Sequence, residues 1–375
     1  MPFREIPILN LSLADDETTK PELLQQLLDA LLNVGFLYIK NTGVDQALFD
    51  KVCEEGIRFF DLPEEEKLRI EMKNAKSFLG YSKLGNEITA SQADWREQVD
   101  LSTPHPIPGP DAPTYHHLLA PNQWPKAELM PSFRPTYEEY MRQMSSVSLR
   151  FTSLIAESLG LPSTAFDSFF DTDQQHKLKI VKYPDNGTGV GQGVGPHKDS
   201  MLTSYLLQAS EVKGLQAQNT QGEWIDCPPI RGTLVVAIGQ GLEALTDGVC
   251  ASTTHRVLSP QAGQGPRFSI PFFQGVSYDA KFESMDVPAH VRALRKEILD
   301  REGRRDDVEF TFVKGKWNHL GEATLFNRVK SHPDVSERWY PELLAQVRRQ
   351  QAADAAQKSA TAGLAPKAVG QVEVV

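Results

Sequence analysis

Residue patterning alone points to a mainly β fold with helical layers, its core an antiparallel sandwich or jelly roll. Between residues 176 and 275 seven short β-prone runs occur, at 177–183, 202–208, 214–218, 223–226, 233–238, 249–257 and 267–273. Gly, Pro, Asn and Asp turn signals separate them, as expected of a sandwich or jelly roll. Helical periodicity flanks this block on both sides. The composition, 40% hydrophobic and 23% charged over 375 residues, is that of a globular chain. Length alone suggests two or three units, but a β-sandwich with helical decoration can use most of it as one.

The elements follow in order. Ile6-Pro7-Ile8-Leu9 is a short apolar run. Pro21 opens a helical pattern carrying Leu23, Leu24, Leu27, Leu28, Leu31 and Leu32, and Gly35 ends it, matching the start-proline, stop-glycine asymmetry of helices. Phe36-Leu37-Tyr38-Ile39 reads as a strand. A second helix carries Leu48, Phe49, Val52, Ile57 and Phe60 and closes at Pro63. Both stripes are read as core.

Residues 72–131 lose this periodicity, with prolines at 104, 106, 108, 110, 113, 121, 125 and 131. Phe78, Tyr81, Trp95, Tyr115 and Trp124 provide surface to bury, so a loop packed against the main domain and placed to cover a site is expected, rather than disorder. A long helix over 132–161, with Tyr137, Tyr140, Met141, Met144, Val147, Phe151, Leu154, Ile155 and Leu159 on one stripe, should back a sheet. Helix returns at 287–302 and 321–349. The small, polar tail from about 351 reads as disordered. The regions expected are thus 1–131, an N-terminal α/β part with the Pro-rich segment; 132–350, a helix-backed β core; and 351–375, the tail.

A formal net charge of −10 argues against a broad nucleic-acid or anionic-membrane surface. No 18 apolar residues run together and the N-terminus has no signal core. Cys53, Cys227 and Cys250 are scattered and odd in number, with no Cys-x-x-Cys, so neither a disulfide framework nor a thiolate zinc site is indicated. A reducing, cytoplasmic setting is the expectation.

The chemistry concentrates in Gly195-Pro196-His197-Lys198-Asp199 and the residues that follow. In a strand, residues i and i+2 share a face, so His197 and Asp199 can converge and supply two ligands of a 2-His-1-carboxylate triad, the set that holds non-haem Fe(II) with open positions. Lys198 then points away. His255 lies 56 positions past Asp199 in another β-prone run, far enough along for a neighbouring strand to return it to the same face. Arg267 and Ser269 form a further i, i+2 pair, and a guanidinium fork beside a hydroxyl is a receptor for a buried carboxylate. Pro271 suggests that this strand lies at an edge or ends there. The other seven histidines (His105, His116, His117, His176, His290, His319 and His332) are read as surface or structural.

These residues resemble the isopenicillin N synthase-like group of Fe(II)/2-oxoglutarate-dependent oxygenases. The resemblance runs from about residue 5 to 345: Gly35-Phe36-Leu37-Tyr38-Ile39, Asp94-Trp95-Arg96-Glu97 and Pro121-Asn122-Gln123-Trp124-Pro125 in the first part, then Lys179-Ile180-Val181-Lys182-Tyr183-Pro184, His197-x-Asp199, Gly222-Glu223-Trp224, His255-Arg256-Val257 and Arg267-Phe268-Ser269-Ile270. It implies a double-stranded β-helix (jelly roll) core flanked by N-terminal and C-terminal helices. It implies His197, Asp199 and His255 as iron ligands, with Arg267, Ser269 and Tyr183 at the distal carboxylate of 2-oxoglutarate. Lys198 stands where Thr or Glu is often found, and Val181 where Asn is common; neither change touches a ligand.

The activity so implied uses Fe(II), 2-oxoglutarate and O2. It oxidises a small-molecule, secondary-metabolite C–H bond by hydroxylation, desaturation or a related reaction, releasing succinate and CO2, with no obligate protein partner. An Fe(II) oxidase of the same family that uses no 2-oxoglutarate is the alternative, because Arg-x-Ser also binds substrate carboxylates. A non-catalytic jelly-roll binding module is the third reading, disfavoured by the intact ligand set. Tyr81, Tyr205 and Phe273 are candidates for substrate contact or for aromatic core.

Overall fold

Leucines spaced three and four apart give the first helix a single apolar face, and the strand after it carries that face into a sheet. In the computed structural model, which describes residues 2–89, 92–170, 175–185, 191–281, 283–303 and 317–362, β1 (Ile8–Asn10) leads to α1 (Lys20–Asn33) and β2 (Phe36–Lys40). Leu23, Leu27, Ala30 and Leu31 of α1 are buried. Gly35 turns the chain at φ +63°, where a Cβ would lie 2.0 Å from the Ala251 carbonyl oxygen; only glycine fits there. α2 (Gln46–Phe60) starts on the Asp45 carboxylate, which accepts from the Ala47 N–H; α3 (Glu64–Leu68) follows.

The next segment is only in part the irregular loop expected: strands occupy it up to Ser102, and 103–131 stays irregular apart from a short 3-10 turn at Thr114–Leu118. It carries β3 (Gly80–Ser82), the hairpin β4 (Ile88–Thr89) and β5 (Gln92–Ala93), and β6 (Glu97–Ser102). α4 (Phe133–Ser158) then packs against α1, α2 and the sheet. The β core follows: β7 (Lys177–Tyr183), β8 (Gln192–His197), β9 (Thr203–Gln208), β10 (Leu215–Gln218), β11 (Trp224–Asp226), β12 (Thr233–Ile238), α5 (Gln240–Leu245), β13 (His255–Leu258) and β14 (Arg267–Gln274). α6 (Ala289–Glu302), α7 (Leu320–Ser331), α8 (Pro333–Trp339) and α9 (Pro341–Ala362) close the chain.

Among the described residues the strands form an eight-stranded sheet, β1-β2-β12-β9-β14-β7-β6-β3, and a four-stranded sheet, β11-β10-β13-β8. Apart from the β1–β2 pair the ladders of both are antiparallel. Strand alternation divides the large sheet into two faces. Leu178, Ile180, Leu234, Val236, Ile270 and Phe272 pack with α1, α2 and α4, whereas Val181, Tyr183, Val235 and Ala237 share a cluster with Val194, Leu215, Ala217 and Val257 of the small sheet. A third cluster joins Phe78, Tyr115 and Leu118 of the Pro-rich segment to Leu325, Val329, Val335, Tyr340 and Leu344 of the C-terminal helices. This is the jelly-roll architecture, helix-backed on one side.

Several expectations are corrected. The run 249–257 is strand only from His255. β14 is central, not an edge: it pairs with both β7 and β9, and its ladder to β7 passes from Ser269↔Val181 to Phe272↔Leu178 without pairing Pro271, which has no donor to give. The helix expected over 321–349 is three helices, broken at Pro333 and Pro341. The tail expected to be disordered from 351 is helical to Ala362; residues 363–375 lie outside the described residues.

Candidate active site

Two facing strand ends carry the candidate metal ligands. His197, the last residue of β8, pairs across the ladder with His255, the first of β13, and their ring centroids are 4.3 Å apart. His197 Nδ1 lies 2.8 Å from the Gly195 carbonyl oxygen and His255 Nδ1 3.1 Å from that of Thr253. A carbonyl can only accept, so each Nδ1 carries the proton and each Nε2 presents its lone pair. Those Nε2 atoms stand 3.7 and 3.8 Å from Asp199 Oδ1, and the three ligand atoms lie within 4.8 Å of one another. The Ser204 hydroxyl donates to Asp199 Oδ2, which leaves Oδ1 turned to the histidines. Burial, and then the neighbouring His255, push the His197 pKa down to about 4, so its imidazole is neutral and ready to ligate.

Asp199 reaches this point by a different route from the one expected. His197 and Asp199 do not share a strand face, because the chain leaves the sheet after His197 and Asp199 lies in the turn before β9. That turn is held on the start of α5: the Asp199 and Leu202 carbonyls accept from the Gln240 and Gly239 N–H groups at 2.7 and 3.0 Å. A Cβ on Gly239 would lie 1.8 Å from the Met201 carbonyl oxygen. Lys198 turns to Glu243, at 3.7 Å.

Arg267 is fully buried, opposite Tyr183 in the β14–β7 ladder, with its Cζ 5.1 Å from the tyrosine ring centroid. Ser269 follows on the same face. Arg267 Nη2 donates to Gln208 Oε1 at 3.1 Å, while Nε and Nη1 find no hydrogen-bond acceptor among the described residues. Burial lowers the Arg267 pKa, opposed by Tyr183. A buried guanidinium with two unmet donors is costly unless an acceptor arrives, and a carboxylate supplies two oxygens in the matching geometry. The donor sets therefore suit both Fe(II) and the distal carboxylate of a keto acid.

A cavity of about 830 Å³ spans the site, lined by His197, Asp199, His255, Tyr183, Ser269 and the apolar Phe36, Leu206, Leu215, Val235 and Val257. Phe273 also lines it. Tyr205 does not: its ring packs on Phe151 of α4 and on Phe272. Tyr81 donates to Glu97 Oε2 at 2.7 Å and is not among the lining residues. Sequence reasoning missed Ser204, Arg96, Lys177, Lys179 and Arg328, all of which line the cavity. For the two lysines the signal was available, since alternation along 177–183 places them on the face of Tyr183. His176 and His332 are buried away from the triad.

Comparison with known proteins agrees with this geometry. Residues 6–127 match the family described as non-haem dioxygenase in morphine synthesis N-terminal, and residues 175–276 the 2OG-Fe(II) oxygenase superfamily. The 2-oxoglutarate-dependent dioxygenase frbJ of Dothideomycetidae sp. (strain 11243) is 66% identical over 359 residues, covering 94% of this chain and 97% of that protein. Homoarginine-6-hydroxylase 2-ODD-C23 of Glycine max is 32% identical over 303 residues, 76% of this chain and 89% of its own. Among solved structures, a full-length Neurospora crassa protein in complex with alpha-KG superposes with a TM-score of 0.66 at 25% identity, over 79% of this chain and 96% of that one. The chain belongs to the 2OG-Fe(II) oxygenase superfamily and is a 2-oxoglutarate-dependent dioxygenase, an oxidoreductase that uses Fe(II), 2-oxoglutarate and O2.

Proposed function

We propose that the chain hydroxylates a C–H bond of a small molecule, with His197, Asp199 and His255 holding the iron and Arg267, Ser269 and Tyr183 holding the distal carboxylate of 2-oxoglutarate. The observation that carries this reading is the pairing of a three-ligand face with a fully buried guanidinium whose Nε and Nη1 have no acceptor among the described residues, set beside Tyr183 and Ser269, which line the same cavity as the three ligands. Fe(II) with 2-oxoglutarate and O2 supplies the oxidising equivalents, and succinate and CO2 are the co-products. The protein's own share is placement. The Gly195 and Thr253 carbonyls fix the two rings, Ser204 fixes the carboxylate, and the apolar walls from Phe36 to Val257 keep water from the reacting centre. The name of the Glycine max relative, a hydroxylase of an amino acid, favours hydroxylation of a small molecule over other outcomes. Three unpaired cysteines suit a cytoplasmic location.

A screen of small molecules for stimulated 2-oxoglutarate decarboxylation, with mass spectrometry of the product, tests the reading. A product heavier by one oxygen, formed with succinate, is expected. Oxygen consumed without succinate would overturn it.

A further inference from the structure

We infer that the substrate carries a carboxylate, received by Lys177 with Arg328 and Arg96 on the cavity wall beside the metal face. The inference rests on the function proposed above and names the substrate class for that site.

Lys177, Phe273, Ser204, Ala237 and Phe36 form one in-register row across β7, β14, β9, β12 and β2, and all five line the cavity. Ser204 is the residue that fastens Asp199. Lys177 thus stands level with the metal ligands, two strand spacings, or roughly 10 Å, from Ser204. The Arg267 end of β7 is six residues along from it, about 20 Å away. The two cationic positions are therefore separate receptors, one for each of two acids.

Charge supports the assignment. Around Lys177 the cavity wall holds Arg96, Lys179, Arg328 and Lys330 with Glu87, and Asp94 and Asp100 are buried behind it. Lys179 pairs with Glu87 at 2.9 Å, Arg96 with Glu87 and Asp94 at 2.9 and 3.0 Å, and Arg328 with Asp100 at 2.9 Å. His332 completes the group with Nε2 at 3.8 Å from Glu87, and burial pushes its pKa down to about 4, leaving it neutral. Lys177 takes no part in these pairs. It is 4% exposed, donates only to the Leu118 carbonyl at 3.0 Å, and makes no ion pair among the described residues. Arg96 Nε, also on this wall, has no acceptor among the described residues. Burial, then Arg328, lower the Lys177 pKa to about 7, with Asp100 opposing. A buried lysine held this way costs stability; an incoming carboxylate would balance its charge and restore the full ammonium.

The test uses the full chain loaded anaerobically with Fe(II) and saturating 2-oxoglutarate, so that Arg267 is occupied. Calorimetry then compares pentanoate, hexanoate and norleucine with pentanamide, hexanamide and norleucinamide. The acids are expected to bind at millimolar concentration or tighter and the amides about tenfold more weakly or worse. Lys177→Met should erase the difference without lowering the melting temperature or the 2-oxoglutarate affinity, and Lys177→Arg should keep it. Equal binding of acids and amides, no acid bound at millimolar concentration, or a preference that survives in Lys177→Met would each overturn the inference. The 2-oxoglutarate titration that precedes these measurements reports on the proposed function separately. If it fails, that reading falls, and the acid–amide comparison still decides the subsite in an Arg267→Leu background.

Discussion

At the scale of single residues, the strongest commitments are those that leave a charge waiting. Arg267 is buried with two donors unmet among the described residues, so Arg267→Leu should weaken 2-oxoglutarate binding by about 2–5 kcal/mol, as for other broken buried charge pairs, while Fe(II) binding stays intact. Titration of 2-oxoglutarate reads this, and an unchanged affinity would move the anchor elsewhere. His255→Ala removes one of the three proposed ligands and should abolish both tight Fe(II) binding and turnover; retained activity would refute the assignment. Of the six candidates, His197 and Asp199, and Arg267 and Ser269, were legible from residue type and i, i+2 spacing, His255 from its separate β-prone run, and Tyr183 only from the family resemblance. Ser204 was not, since a serine in a β run is common and only the fold shows that its hydroxyl meets Asp199.

At the scale of elements, the turn over 198–202 is what brings Asp199 to the two histidines and completes the candidate ligand face. It rests on Gly239, where an added Cβ would sit 1.8 Å from the Met201 carbonyl oxygen. Gly239→Ala must therefore shift the turn that carries Asp199, or α5. We expect a loss of about 1–3 kcal/mol in stability, the usual cost of overpacking, and a larger proportional loss in Fe(II) affinity. Parallel thermal melts and Fe(II) titrations check this, and a variant with both unchanged would show that the turn yields freely. The same element explains where pattern reading stopped. Alternation identified β7, β9 and β12 because their apolar residues face two packed layers. It missed β6, whose cavity-side residues Gln98 and Asp100 are polar but buried in the ion-pair network. It also missed β8, where Gly193, Gly195 and Pro196 look like a turn, although a Cβ on Gly193 would press within 2.9 Å of the Val257 carbonyl oxygen and only a bare backbone fits the ladder. The edge role expected of Pro271 failed for a complementary reason, since β14 leaves that position unpaired toward β7.

At the scale of the whole molecule, buried histidines tie stability to pH. Burial pushes His176 down to about 3 and His332 down to about 4. His176 Nδ1 accepts from the Gly275 N–H at 3.2 Å, and its Nε2 lies 3.0 Å from the Ser145 hydroxyl; protonation would set two donors against each other. Both folded values lie below the ordinary histidine value near 6.5. Between about pH 6.5 and 4 the unfolded chain therefore takes up protons that the folded chain refuses, and stability falls as the pH falls through that window. Glu87 acts in the same direction at the lower end: burial raises its pKa, but Arg96 and Lys179 pull it well below the usual carboxylate range, so its contribution is lost as acid protonates it. Asp94, raised by burial, acts the opposite way and softens the slope near pH 4. The sum is expected to be on the order of several kcal/mol between pH 7 and pH 4. It should appear as a melting temperature that drops steadily over that range in metal-free protein. A melting temperature flat from pH 7 to 5 would mean that these histidines are not held neutral. His332 joins α7 to Glu87 of the N-terminal part, and Phe78 and Tyr340 stack beside it. Acid should therefore loosen the C-terminal helices, with hydrogen exchange rising first in α7 and α8.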